Sequence, residues 1–137
     1  GLHGVRAFLE RQGIDRAGAI LYDGSGLSRY GLVTPRAIVG VLRAMAFHPA
    51  RQAWFEALPV AGEDGTIARR MRGTLAAANV RAKTGYYAHH TSLSGYVTTR
   101  AGDVLLVATL FNHSPVPAPD MRLLHDRFFV ALAKATR

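Results

Sequence analysis

Residues 80–112 read VRAKTGYYAHHTSLSGYVTTRAGDVLLVATLFN, and this stretch decides the fold. Three runs within it, residues 80–84, 91–99 and 104–112, are rich in β-branched and aromatic residues and predict strands. The last two runs are joined by Arg100-Ala101-Gly102-Asp103, which is a hairpin signal. Strands joined by such short turns pair antiparallel, so the stretch predicts an antiparallel sheet.

The flanking segments predict helices. Residues 2–12 place apolar residues at helical spacing before Gly13, and a second helix begins at Pro35 behind the N-cap Thr34 and ends before Pro49. The remaining predicted elements are a short buried strand at 17–22, a short helix at 51–58, another starting at Thr66, and a terminal helix after Pro119 whose apolar stripe, with Phe128 and Phe129, belongs to the core. We therefore expect the α+β class, with helices packed on an antiparallel sheet.

The composition is that of one globular domain. The chain has 137 residues, of which 49% are hydrophobic, and it contains no cysteine. Disorder, a disulfide framework and a thiolate metal site are therefore excluded. No apolar run reaches the roughly 18 residues of a membrane helix.

The charge balance leaves a basic nucleic-acid-binding module open as a less favoured alternative. Lys and Arg number 17 against 9 Asp and Glu, a formal net charge of +8. The basic residues are scattered singly, however, except in Arg69-Arg70-Met71-Arg72. Neither interleaved aromatic residues nor a DNA-recognition helix is evident, so we expect no nucleic-acid partner.

The tripeptide Lys83-Thr84-Gly85 carries the most chemical information. It ends a predicted strand, and Leu93-Ser94-Gly95-Tyr96-Val97 lies on the next. The tripeptide resembles a motif of penicillin-recognising serine enzymes, in which the ammonium and the hydroxyl can bind a substrate carboxylate and the glycine lets the substrate backbone approach. The alternative is a solvated surface charge, but the chain has only one other lysine, Lys134.

Four stretches in chain order resemble the signature segments of one family, the S13 peptidases. These are D-alanyl-D-alanine carboxypeptidases and endopeptidases of the low-molecular-mass class C penicillin-binding proteins. The resemblance covers residues 1 to about 113 and implies a β-lactamase/transpeptidase-like fold, with residues 1–137 as the C-terminal part of that domain. The four stretches are residues 23–29 (DGSGLSR), 58–66 (LPVAGEDGT), 81–85 (RAKTG) and 93–97 (LSGYV).

The resemblance implies catalytic roles on the motif strand. Lys83, Thr84 and Gly85 match the third active-site motif, which recognises the substrate carboxylate and acyl chain. The backbone N–H of Tyr86 corresponds to one donor of the oxyanion hole. Tyr87, with Tyr86, would shape the rim of the pocket.

The resemblance also implies a substrate-binding loop. Ser25, Gly26, Leu27 and Arg29 match the loop that borders the pocket for the side chain of the donor peptide. Arg29 would offer its planar guanidinium to the carboxylate of a diaminopimelate-type residue, unless it forms only a surface salt bridge. Gly31 stands where an Asn is common, which leaves the hydrogen bonding of the loop open.

Two family motifs do not occur. None of the five serines has a lysine three residues on, and no Ser-x-Asn is present. We expect the nucleophile to lie upstream, so that this chain carries one wall of a serine-type D-Ala-D-Ala carboxypeptidase or endopeptidase and is inactive alone. The alternative is a non-catalytic remnant that binds peptidoglycan.

The expected partners follow from the resemblance. They are peptidoglycan stem peptides, with β-lactams as covalent inhibitors of the complete enzyme, in the periplasm or cell envelope. Residues 1–4 have no signal-peptide character, so any export signal is expected upstream. No cofactor and no metal are expected, because His89 and His90 are adjacent and would point to opposite sides of a strand. A face left apolar by truncation is expected to favour oligomers.

Overall fold

A three-stranded antiparallel sheet lies between a long C-terminal helix and a group of shorter helices from the first half of the chain. The structure is a computed structural model that describes residues 1–136. The strand order is β3-β4-β5, with a separate two-stranded ribbon β1-β2. The elements are α1 (Leu2–Arg11), β1 (Ala19–Ile20), β2 (Leu32–Val33), α2 (Pro35–Ala46), α3 (Arg51–Glu56), β3 (Arg81–Tyr87), β4 (His90–Thr98), β5 (Val104–Phe111) and α4 (Ala118–Lys134).

The register of the sheet gives its two faces different partners. Ala82 pairs with Gly95 and Thr84 with Leu93, so these residues share one face. This face packs on α4 around the fully buried Phe129. The opposite face packs on α2 and α3 through Tyr96. The α+β arrangement predicted from the sequence is confirmed.

The small β1-β2 ribbon corrects one expectation. The strand expected at 17–22 is reduced to two residues, and Ile20 is 50% exposed rather than buried. Its partner β2 has no counterpart in the sequence prediction. The ribbon is held at its base, where the Thr34 N–H donates to the carbonyl of Gly18 at 2.8 Å. No further strand covers the ribbon within residues 1–136, so Ile20, Leu32 and Val33 remain exposed, whereas Ala19 packs against the cluster around Leu9.

Two more elements differ in extent from the prediction. Strand β3 continues to Tyr87 because both tyrosines keep their cross-strand partners on β4. The motif Lys83-Thr84-Gly85 therefore lies within a strand, not at its end. The helix expected from Thr66 is one 3₁₀ turn, Gly65–Ile67, since Met71 and Gly73 both adopt positive φ.

Helix α4 buries residues spaced four apart. Met121, His125, Phe129 and Ala133 face the sheet. Phe128, expected in the core with Phe129, is instead 48% exposed, because it lies about 100° around the helix from its neighbour. No helix in the part of the chain that the structure describes combines the length and apolarity needed to span a membrane.

Candidate active site

The motif strand β3 forms one edge of the sheet, and the edge is partly covered. At its start, Val60 bridges Arg81, and the N–H of Ala82 donates to the carbonyl of Pro59 at 3.0 Å. From Lys83 to Tyr87 no other strand pairs with this edge within residues 1–136. The free edge therefore begins at the first residue of the motif.

Alternation along the strand decides which backbone groups face this edge. In an antiparallel strand, successive residues point their N–H and C=O groups alternately toward and away from the neighbour. Ala82 points away from β4, because its N–H donates to Pro59. Thr84 and Tyr86 must point the same way. The N–H of Tyr86 thus faces the free edge, and its role in an oxyanion hole stays a prediction.

The side chains of Lys83 and Thr84 have partners on this wall. The ammonium of Lys83 donates to the carbonyl of Thr84 at 2.7 Å, at the exposed edge. The hydroxyl of Thr84 donates to that of Thr66 at 3.0 Å. Thr66 ends one of the signature stretches, but the sequence gives no sign that its hydroxyl reaches the motif strand. The ammonium and the hydroxyl of the motif are thereby each held by a hydrogen bond.

Gly85 leaves room for the side chain of its cross-strand neighbour. It pairs with Ser92, and a Cβ at position 85 would collide with the Ser92 hydroxyl oxygen. The sequence interprets this glycine as space for a substrate backbone. The structure adds that the glycine also leaves room for a serine side chain on β4.

The loop between β1 and β2 is fixed by its own hydrogen bonds. One carboxylate oxygen of Asp23 accepts from the N–H of Ser25 at 2.9 Å and from its hydroxyl at 2.7 Å. These bonds lower the pKa of Asp23, with the hydroxyl as the larger cause. The Ser25 hydroxyl oxygen in turn accepts from the N–H of Leu27 at 3.0 Å, and Gly26 adopts a φ of +70°. The N–H of Gly31 donates to the Ser28 carbonyl at 3.2 Å, so the turn closes without an Asn there.

Three of the four predicted loop residues and one residue of the motif strand line the same cavity. Ser25, Leu27 and Arg29 meet Tyr87 around an open cavity of about 540 Å³. Gly26 does not line it. Tyr22 and Tyr30, which the sequence did not single out, also line it, and their ring centroids lie 5.1 Å apart. The pairing across the ribbon brings these two tyrosines together, and that pairing has no periodic signal in the sequence.

Behind the motif strand, α4 contributes a buried histidine. His125 is 1% exposed, and its ring nitrogens lie 3.0 Å from the Thr91 hydroxyl and 2.7 Å from the Thr109 hydroxyl. Burial, followed by the charge of Arg70, lowers the pKa of His125. The ring is therefore neutral at pH 7 and links the helix to two strands of the sheet.

The remaining titratable groups do not form a metal site in the described chain. His89 occupies the turn between β3 and β4 with a φ of +61°, whereas His90 begins β4 and packs against the His113 ring at 4.6 Å. Among residues 1–136, no group of three His, Cys, Asp or Glu side chains could hold a metal ion.

The serine hydroxyls of the described chain have no basic side chain as a hydrogen-bond partner. Within residues 1–136, no hydrogen bond joins a serine hydroxyl to a lysine or histidine side chain. The arrangement supplies an edge for an extended peptide, an ammonium, and an N–H that faces the same edge.

The fold is of the penicillin-binding-protein class. A crystal structure of penicillin binding protein 4 (dacB) from Haemophilus influenzae, complexed with a β-lactam, matches it with a TM-score of 0.84 and 31% sequence identity. The match covers 96% of this chain and 32% of that chain.

Sequence relatives narrow the class to one family. A D-alanyl-D-alanine carboxypeptidase from Actinomadura sp. (strain R39) is 45% identical over 139 residues, which are 98% of this chain and 25% of that protein. The D-alanyl-D-alanine carboxypeptidase DacB of Haemophilus influenzae is 36% identical over 114 residues, 82% of this chain and 24% of that protein. The model of the D-Ala-D-Ala carboxypeptidase 3 (S13) family matches residues 1–131, and the chain belongs to this family of hydrolases. The chain spans about a quarter of the length of these curated relatives.

Proposed function

We propose that this chain forms the substrate-recognition wall of a serine-type D-Ala-D-Ala carboxypeptidase or endopeptidase that acts on peptidoglycan stem peptides. The nucleophilic serine comes from a segment outside the 137 residues, and the chain alone does not turn over substrate. The free edge of β3 carries this proposal, because it starts at Lys83 and presents the N–H of Tyr86.

The reaction on this wall is acyl transfer. The stem peptide lies along the edge of β3 as an added strand, and the serine oxygen attacks the carbonyl carbon between the two D-alanines. The Tyr86 N–H donates to the oxyanion that forms. The C–N bond then breaks, and the leaving D-Ala nitrogen takes up the proton that the serine hydroxyl gave. Water resolves the resulting ester and releases the shortened peptide.

Lys83 and Thr84 recognise the substrate in this scheme. The Lys83 ammonium now bonds to the exposed Thr84 carbonyl at 2.7 Å, a bond that an incoming anionic group can replace. We place the carboxylate of the substrate near this ammonium and the Thr84 hydroxyl. Because both groups belong to one strand, the substrate is aligned with the oxyanion donor two residues further on.

The cavity beside the loop receives the side chain of the donor peptide. Arg29 lies there with Ser25, Leu27 and Tyr87, and no ion pair engages its guanidinium within residues 1–136. A free guanidinium suits the carboxylate of a diaminopimelate-type residue. Since peptidoglycan lies outside the cytoplasmic membrane, we place the enzyme in the periplasm or cell envelope, with β-lactams as covalent inhibitors of its complete form.

The arginine cluster gives little support to the nucleic-acid alternative. Arg70 is engaged by Asp126, with 2.7 Å between a guanidinium nitrogen and the carboxylate, and the Arg72 side chain donates to the carbonyl of Ala68. Two of the three arginines in this cluster thus stabilise the fold. A non-catalytic peptidoglycan binder stays as the second candidate, since the recognition groups do not depend on the nucleophile.

The two lysines of the chain provide the test. We would titrate the purified chain with diacetyl-L-Lys-D-Ala-D-Ala and compare Lys83→Met with the matched control Lys134→Met. Lys83→Met should weaken binding by about tenfold, because it removes a charge-assisted hydrogen bond, and Lys134→Met should change nothing. Equal effects of both variants, or tight salt-dependent binding of DNA without binding of the peptide, would contradict the proposed function.

A further inference from the structure

The ring of Tyr86 makes a cation–π contact with an arginine side chain. The Arg122 guanidinium carbon lies 5.0 Å from the centroid of the ring, within the range of a cation–π contact. The Tyr86 ring is 60% exposed, so the pair lies at the surface of the site. Arg122 belongs to α4, and nothing in the sequence predicts that this helix reaches the motif strand.

A half-buried salt bridge holds this end of α4 in place. Arg70 binds Asp126 through two guanidinium nitrogens at 2.9 and 2.7 Å, and it also donates to the backbone carbonyl of Arg122 at 3.3 Å. The side chains of the pair are only 15% and 17% exposed. The backbone of Arg122 is therefore tied to the segment that follows Thr66, which itself contacts Thr84. Thr84 and the Arg122 partner of Tyr86 are thus both attached to residues 66–70.

The guanidinium of Arg122 keeps its hydrogen-bond donors available. A cation–π contact engages the charge of the group over the Tyr86 ring and uses none of its five N–H donors as a hydrogen bond. Within residues 1–136 no carboxylate or carbonyl accepts from this side chain. Residues two apart on a strand share a face at a separation of about 7 Å, so the Thr84 hydroxyl lies on the Tyr86 side of the sheet.

We infer that Arg122 is a specificity-determining residue that binds the terminal carboxylate of the substrate together with the Thr84 hydroxyl. The inference rests on the proposed function, because it takes the peptide to lie along the edge of β3. A guanidinium at this point forms charge-assisted hydrogen bonds with a free carboxylate and cannot form them with an uncharged peptide bond. The enzyme thereby favours peptides that end after the second D-Ala over those in which the chain continues.

The test compares two peptides that differ only in this carboxylate. Diacetyl-L-Lys-D-Ala-D-Ala and its C-terminal carboxamide would be titrated against the chain, Arg122→Gln and the control Arg127→Gln. Arg127 is an exposed residue of the same helix, so the control makes the same change in net charge. The wild-type chain should prefer the carboxylate, Arg122→Gln should reduce that preference about tenfold, and Arg127→Gln should preserve it.

Each other outcome has a separate meaning. If Arg122→Gln weakens the binding of both peptides equally, or the binding of neither, Arg122 does not recognise the carboxylate and the inference is overturned. Binding that depends on Lys83 would still support the proposed function. If the wild-type chain binds neither peptide, the proposed function fails and the inference falls with it. Thermal unfolding of the variants would verify that each is folded.

Discussion

At the scale of single residues, Gly95 explains a signature segment that has no obvious chemistry. It lies opposite Ala82, and a Cβ there would come within 2.6 Å of the Ala82 Cα and 2.8 Å of its Cβ, and would also collide with the Arg81 carbonyl oxygen. Those contacts are with two backbone atoms and an alanine Cβ, none of which can move by a change of rotamer. The absence of a side chain at this position therefore sets the spacing between β4 and the motif strand.

We predict that Gly95→Ala lowers the free energy of unfolding by about 3 kcal/mol, because it forces the two strands apart in a close-packed region. The control is Gly4→Ala, at an open position on α1, which should raise stability by about 0.5–1 kcal/mol. Urea unfolding followed by the fluorescence of Trp54, the single tryptophan, measures both. Equal stabilities of Gly95→Ala and the wild-type chain would contradict the packing argument.

The residues of the candidate site fall into two groups, those adjacent in the sequence and those distant from one another in the sequence. Lys83, Thr84 and Gly85 are adjacent, so a short motif reveals them. Thr66 and Arg122 reach the same strand from 18 residues before Thr84 and from 36 residues after Tyr86. Their roles depend on where the 3₁₀ turn and α4 pack against the sheet. The packing position of neither element can be predicted from the local sequence pattern.

At the scale of elements, periodicity predicts the long strands and helices and fails for the short ones. β4 alternates between half-buried and buried positions from His90 to Gly95, and α2 has an N-cap and a Pro start, so each has a local cause. β2 has two residues, too few to show a period, and forms only because β1 lies opposite. The segment after Thr66 has helical composition but is bent by positive φ at Met71.

We predict that the attachment of α4 to the sheet weakens in acid through His125. Burial holds the pKa of His125 below 6.5, so as the pH falls the unfolded chain binds this proton before the folded chain does. The stability contributed by the neutral ring is therefore complete above about pH 6.5 and declines as the pH drops below that value.

The measurement is the free energy of unfolding between pH 5 and pH 8 for the wild-type chain, His125→Gln and His3→Gln. His125→Gln should flatten the decline below pH 6.5, and His3→Gln, at an exposed position on α1, should leave it unchanged. An identical slope for the wild-type chain and His125→Gln would show that the proton is taken up elsewhere.

At the scale of the whole molecule, one side of the sheet and its covering helix stay open. Within the described residues, β5 pairs only with β4, and Val104, Leu124 and Phe128 are each about half exposed. An unpaired strand edge beside exposed apolar side chains can receive further strands or a second copy of the chain. This arrangement agrees with our proposal that residues 1–137 are the C-terminal part of a larger domain, and with the expectation of oligomers, which stays a prediction.

The central claim is that this chain is a recognition wall whose nucleophile lies elsewhere, and intact-mass spectrometry after incubation with a reactive penicillin tests it directly. The samples are this chain and the polypeptide obtained by extending its reading frame upstream. We predict a penicilloyl adduct on the extended polypeptide and none on the 137-residue chain. An adduct on the short chain would mean that one of its five serines is the nucleophile, and the claim would be wrong. The absence of an adduct on either would contradict the catalytic role and leave the non-catalytic peptidoglycan binder.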